Sequence, residues 1–131
     1  MVAEIDLLVV EDHDDTREML LELARSGGYR AVAASTGTLG LELARQHQPY
    51  VALVDLGLPD CDGHELVRWL RGGDGPTLWI VALTGWADQA SRKRVLEAGA
   101  DVHLVKPTRG AEIRTAIDRG LAVVRARRAV R

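Results

Sequence analysis

The chain has one cysteine, Cys61, among 131 residues, so no internal disulfide can form, which suits a reducing cytosol. No apolar run approaches the roughly 20 residues that a membrane span needs. No basic stretch precedes the first apolar run, which reads against a secretory signal. Lysine and arginine number 17 against 19 acids, a net charge of -2, so there is no overall attraction to nucleic acid or to a membrane surface. Internal repeats and low-complexity tracts are also missing. The length leaves room for one domain, large enough to bury a core without disulfide or metal.

What the chain does contain is a series of short apolar runs, each stopped by polar residues. The most informative is Val51-Ala52-Leu53-Val54-Asp55-Leu56-Gly57-Leu58-Pro59. Four apolar residues run into a lone aspartate, and Gly57, Pro59 and Asp62-Gly63 mark a turn beyond it. Such a run reads as a strand buried on both faces. Asp55 then stands at its carboxyl end, where open α/β sheets hold their ligands.

Four further strands are predicted. The first covers 5–10 and leads into Glu11 and Asp12. The second, 29–34, is weakened by Arg30. The fourth covers 78–83, closed by Thr84-Gly85, and the fifth covers 101–105, ending at Lys106-Pro107. Helical patterns lie between them. The stretch 15–18 resembles a capping box, and Met19, Leu20 and Leu23 carry helical spacing to Gly27-Gly28. Ser35 or Thr36 caps a helix with Leu39 and Leu43 on one face, ending before Pro49. A short helix over 63–71 has Leu66 and Leu70 four apart, and Gly72-Gly73-Asp74-Gly75-Pro76 reads as a loop. Asp88 caps a polar helix that stops at Gly99. Ile113, Ile117, Leu121 and Val124 mark the last helix. Five such β-α pairs predict a parallel sheet with helices on both faces, joined by right-handed crossovers. The domain is expected over 1–126, with a basic tail or linker over 127–131.

Five polar residues punctuate the strand ends: Glu11, Asp12, Asp55, Thr84 and Lys106. Carboxylates packed together repel and resist ionising. A hard divalent cation relieves this, and Mg²⁺ favours one or two carboxylates plus phosphate oxygens. Lys106 adds the compact charge that binds phosphate, and Thr84 a hydroxyl donor. Together they form a phosphoryl site with a carboxylate nucleophile. Each residue also has an ordinary reading. The acid pair could meet a helix dipole, and Asp55 could be a turn acid. Thr84 could make a local backbone bond, and Lys106 could be solvated charge. Those readings would have to coincide five times at strand ends, so the phosphoryl site is preferred.

In their order and spacing, Glu11-Asp12, the stretch from Asp55 to Pro59 with Asp62-Gly63, Leu83-Thr84-Gly85 and Val105-Lys106-Pro107 carry a resemblance over essentially the whole chain. The sequence resembles the receiver domain of bacterial two-component response regulators. The resemblance implies a flavodoxin-like (βα)5 fold with strand order 2-1-3-4-5. It implies a cytoplasmic signalling switch rather than an enzyme. Asp55 would accept a phosphoryl group from a phosphohistidine on a sensor histidine kinase or a histidine phosphotransfer protein. Asp12, Asp55 and the Gly57 backbone carbonyl would ligate Mg²⁺, with Glu11 acting mainly through water. Lys106 would bond a phosphoryl oxygen, Thr84 would move toward the phosphoryl group, and the Lys106-Pro107 bond would be cis. The family's partner and homodimer face, on the fourth helix, fifth strand and last helix, would run through Val95, Ala98, His103, Ile113 and Ile117. The runs Ala82-Leu83-Thr84-Gly85-Trp86 and Leu104-Val105-Lys106-Pro107 look most like receivers attached to hybrid sensor kinases.

The sequence departs from the family at His103, three residues before Lys106, where a tyrosine or phenylalanine usually swings inward with the threonine. A half-exposed strand histidine without a role is the preferred reading there. Gly57 and Trp86 occupy the two positions that tune phosphoryl lifetime in the family. Gly57 has no side chain to orient water, and Trp86 is bulky enough to cover the in-line path, so slow autodephosphorylation is expected. The ordinary reading of Trp86 is a surface aromatic serving a partner. Trp69 and Trp79 read as packing residues. His13, His47 and His64 show no metal-ligand pairing with one another or with Cys61, so no zinc site is assigned. The basic cluster Arg92-Lys93-Arg94 and the basic stretch 125–131 lack a recognition helix, so direct DNA binding is not expected. The stretch 125–131 is read as complementing the dipole of the last helix.

Three other functions compete. A Mg²⁺-dependent phosphohydrolase with an aspartyl nucleophile usually has a second acid where Gly57 stands. A flavodoxin-like nucleotide binder would want a phosphate loop where Glu11-Asp12 stands. An unphosphorylated, receiver-like interaction module would not need the intact five-residue set.

Overall fold

In the computed structural model, which describes residues 5–74, 77–85 and 89–130, strands and helices alternate along the chain. The strands are β1 Leu7–Val10, β2 Ala31–Ala34, β3 Val51–Asp55, β4 Trp79–Thr84 and β5 Val102–Val105. The helices are α1 Asp14–Ser26, α2 Gly37–His47, α3 Gly63–Asp74, α4 Gln89–Ala98 and α5 Gly110–Ala129. All strand pairs are parallel, in the order β2-β1-β3-β4-β5 that the resemblance implies.

β1 is wholly apolar, β3 and β4 are apolar up to the Asp55 and Thr84 that end them, and every residue in the three strands is buried. Strand alternation divides the core in two. Leu7, Val9, Leu53, Val81 and Leu83 pack toward α1 and α5 through Leu20, Ala24, Ile117 and Leu121. Leu8, Val10, Val54, Ile80 and Ala82 pack toward the other helices through Ala44, Leu66, Val67 and Val95. Each fully buried aliphatic side chain contributes about 1.5–3 kcal/mol, so the central strands are clamped from both sides. The register then aligns their ends: Val10 pairs with Val54, Asp55 with Leu83, and Thr84 with Val105. Among the described residues no helix is long and apolar enough to cross a membrane.

Several elements differ from the sequence expectation. The capping box does not form. α1 begins at Asp14 behind His13, which makes no side-chain cap bond, and Asp14 instead accepts from Arg17 at 2.6 Å. On α2 the residues buried against the sheet are Gly40 and Ala44; Leu43 is partly buried against the same core, while Leu39 is 38% exposed. The reason is proximity: a Cβ on Gly40 would lie 2.8 Å from a Val10 methyl. α3 runs on through Gly72 and Gly73 to Asp74, where a loop was expected. Arg71 pins its end by bonding the Gly99 carbonyl at 3.0 Å and the Leu78 carbonyl at 2.6 Å. Trp79 is buried, but Trp69 is 48% exposed. Leu66, Val67 and Leu70 set the buried stripe of α3, and Trp69 falls off it. The final helix passes residue 126 and ends at Ala129. Arg128 anchors that extension, bonding the Gln48, Pro49 and Thr77 carbonyls and stacking 4.1 Å from the Tyr50 ring. The expected cap Asp88 and the loop residues Gly75 and Pro76 lie outside the described residues.

α2 is capped twice. Thr36 accepts from Leu39 N–H, as one of the two expected caps. Asp60, from the loop after β3, accepts from the backbone N–H groups of Gly37 and Thr38 at 2.8 and 3.0 Å and from the Thr38 hydroxyl at 2.8 Å. These donors, Gly37 first, pull its carboxyl down to about 2. A group depressed in the folded state stabilises above its unfolded pKa and loses that effect as pH falls through the folded value. Asp60→Ala is therefore expected to lower the thermal midpoint at pH 7, with a gap to wild type that narrows as pH falls from about 4 toward 2. Melting curves followed by circular dichroism check this, and a gap constant across that range would contradict it.

Candidate functional site

The carboxyl ends of β1, β3 and β5 deliver three charged side chains to one point. Glu11 follows β1 and is fully buried, and Asp55 ends β3 at 5% exposure. Lys106 follows β5, and its Nζ donates to Glu11 Oε1 at 2.9 Å and lies 3.3 Å from Asp55 Oδ1. The backbone N–H of Gly57 donates to Asp55 Oδ1 at 3.2 Å. Thr84 is buried at the end of β4, and its carbonyl accepts from the Lys106 N–H at 2.7 Å. The Lys106-Pro107 peptide bond is cis. Asp12 stands beside Glu11, and its Oδ1 atom is buried without a hydrogen bond.

Charge is not balanced there. Asp55 is held above its ordinary pKa, by burial first and then by its hydrogen bond with Glu11. Burial opposes ionisation of Glu11 as well, but hydrogen bonds with Asp55 and Lys106 outweigh it and hold Glu11 below its ordinary value. Lys106 is held above its own, because Glu11 and Asp55 outweigh the burial that opposes its charge. Of the two buried carboxyls, Asp55 takes a proton more readily. Its anionic form would be favoured by more positive charge nearby than one ammonium supplies.

The donor set fits a cation. Ligand atoms of Glu11, Asp12, His13 and Asp55 all lie within 4.8 Å of one another, and most are carboxylate oxygens, which suit a hard divalent ion. A Cβ on Gly57 would lie 3.8 Å from Asp55 Oδ1, so no side chain intrudes on the carboxylate.

The sequence reading brings Glu11, Asp12, Asp55, Gly57, Thr84 and Lys106 to one end of the sheet, and the structure has them there. His103 lies half-buried on β5, in register with Ala82. Alternation puts it on the same face as Thr84. Trp86 lies outside the described residues. The expected partner face is corrected. Val95, Ala98, Ile113 and Ile117 are core residues, because their apolar character belongs to the stripes of α4 and α5 that face the sheet. The exposed side of α4 carries Arg92, Lys93, Leu96 and Glu97 instead. Two residues at the site escaped the sequence reading. His13 was weighed only against other histidines and Cys61, although its position directly after the acid pair was the available signal. Arg17, whose guanidinium donates to the Glu11 carbonyl at 3.0 Å, carried no signal beyond its place on a helix.

The chain is similar to known proteins in sequence and in fold. Residues 7–118 match the family model described as the response regulator receiver domain. The polar-differentiation response regulator DivK of Brucella anthropi is 28% identical over 102 residues, covering 77% of this chain and 83% of that protein. A CheY-like response regulator receiver domain protein from Methanospirillum hungatei is 25% identical with a TM-score of 0.88, covering 95% of this chain and 99% of that one. The receiver domain of the sensor histidine kinase PA1611 from Pseudomonas aeruginosa, solved with a magnesium ion coordinated in its active site cleft, is 30% identical. Its TM-score is 0.82, and the match covers 92% of this chain and 99% of that one.

Two glycines that follow β3 should respond unequally to alanine. A Cβ on Gly63 would lie 2.4 Å from the Leu56 backbone, so Gly63→Ala is expected to cost about 1–3 kcal/mol. Gly57→Ala meets only ordinary contacts and should stay within about 0.5 kcal/mol of wild type. Urea unfolding of both variants measures the difference, and equal midpoints would contradict the loop geometry.

Proposed function

The chain belongs to the response regulator receiver family, and from that premise we propose that it is a phospho-acceptor switch with Asp55 as the acceptor. The observation that carries this reading is the meeting of Glu11, Asp55 and Lys106 at one buried point beside Asp12. Asp55 attacks the phosphorus of a phosphohistidine on a sensor histidine kinase or a histidine phosphotransfer protein. The P–N bond breaks as the new P–O bond forms, and the imidazole leaves. Lys106 binds an oxygen of the transferred group and offsets its charge. Glu11, Asp12, Asp55 and the Gly57 carbonyl would hold Mg²⁺, which when bound supplies further neutralisation of the phosphoryl oxygens. An apolar hollow of about 510 Å³ opens beside Lys106, lined in part by Met19, Leu20, Pro107 and Ile113. Its place suits the docking of a donor helix.

Thr84 carries the signal outward. Its hydroxyl turns toward the new phosphoryl group, and the α4-β5-α5 region, with His103 on the Thr84 face, changes its partner binding, including to a second copy of the chain. The site includes the Lys106-Pro107 turn, which sets where the ammonium begins. Gly57 offers no side chain to position water, and the bulky Trp86 occupies a position that tunes phosphoryl lifetime in the family, so the phosphoryl group is lost slowly. The protein acts in the cytoplasm and catalyses only its own phosphorylation and dephosphorylation.

Incubation with acetyl phosphate and Mg²⁺ is expected to add one phosphoryl group to the wild type, read by intact mass. None should appear on Asp55→Asn or in the presence of a chelator. Rapid turnover of phosphate esters would point instead to a phosphohydrolase. Trp86→Ala should shed the phosphoryl group several-fold faster than wild type in a decay time course, and an unchanged rate would remove Trp86 from this reading.

A further inference from the structure

We propose that His13 gives the cation site a nitrogen ligand, so that the site binds Co²⁺, Ni²⁺ or Zn²⁺ more tightly than Mg²⁺. This rests on the reading of Asp12 and Asp55 as cation ligands and adds a selectivity which that reading does not contain. His13 is held in place by its backbone. It is the extended residue before α1, with φ -77° and ψ 120°, and its N–H donates to Glu11 Oε2 at 3.4 Å. Its Nδ1 lies 3.4 Å from both Glu11 Oε2 and Asp12 Oδ1. Neighbouring donors on a six-coordinate ion with bonds of about 2.1 Å stand about 3.0 Å apart, so a small shift lets Nδ1 and Asp12 Oδ1 share one ion. Asp12 Oδ1 is buried and receives no hydrogen bond, which leaves it open to a metal. The imidazole is 71% exposed, so it can turn onto an ion without disturbing the core.

Mg²⁺ takes oxygen ligands and gains little from an imidazole. Later first-row ions gain much more from nitrogen donors and rise in affinity toward the end of the series. One histidine beside two carboxylates therefore separates the two classes. A merely structural role is a weaker account of His13, because it makes no side-chain cap bond to α1. His13→Ala should accordingly leave the helix start intact.

Tag-free wild type and His13→Ala, titrated with Mg²⁺ and with Ni²⁺ by calorimetry, test the proposal. Ni²⁺ affinity is expected to fall on the order of tenfold or more in the variant, with Mg²⁺ affinity nearly unchanged. The Co²⁺ form of the wild type should also show a paramagnetically shifted imidazole N–H resonance that the variant lacks. If Mg²⁺ binds but the ratio of Ni²⁺ to Mg²⁺ affinity is the same in both proteins, the nitrogen ligand is refuted. If Mg²⁺ does not bind the wild type at all, the reading of the cation site itself fails. Ni²⁺ binding that persists in His13→Ala places the ion elsewhere and also refutes the proposal.

Discussion

The ammonium of Lys106 reaches two carboxyl groups at once, Glu11 at 2.9 Å and Asp55 at 3.3 Å, and the end of the sheet depends on that contact. Both acids are buried, where an unpaired charge is expensive. Lysine arrives from the edge strand, while the acids end β1 and β3, so the pairing exists only when the sheet has its full order. One cation facing three carboxylates leaves a deficit of positive charge. Burial first, and then the neighbouring Glu11 carboxyl, hold the Asp55 pKa above its ordinary value, and a divalent cation among these acids would relieve the excess negative charge.

Holding those groups still is the task of the core. Under the site, β1, β3 and β4 are buried on both faces, between α1 and α5 on one side and the other three helices on the other. Precision of this kind is hard to build from loops alone. The loop after β3 is controlled from its own sequence: Gly63 packs directly on the Leu56 backbone, and Asp60 ties the loop to the start of α2. The cluster of charged groups thus sits on a rigid platform, beside a loop whose position is fixed by short contacts.

Much of this was legible in the residues. An apolar strand that ends in an acid announces both its burial and the place of its functional group, and this happened at β1 and β3. Thr36 as a cap and Gly99 as a helix stop followed from local backbone chemistry, and Gly99 has a φ of +121°. The partner face taken from the family resemblance fell on residues that face the sheet. Val95, Ala98, Ile113 and Ile117 looked like a partner face and are core. Trp69 looked like core and is exposed, because a tryptophan one step off a helical stripe has nothing to pack on. The length of α5 was underestimated, since the stacking and carbonyl bonds of Arg128 connect it to residues 48, 49 and 77.

The sequence by itself determined the strands, their parallel alternation with helices and the residue types at the strand ends, because these depend on hydrophobic period and on neighbours a few positions away. Tertiary structure alone decided how the charges pair and which side chains share a cation. Glu11 and Lys106 are 95 positions apart, and no local pattern states a distance between them. His13 is next to Asp12 in the chain, but the folded end of β1 is what sets its Nδ1 3.4 Å from both Glu11 Oε2 and Asp12 Oδ1. Topology fixes such contacts because it sets which strand ends are neighbours, and that is a property of the whole sheet.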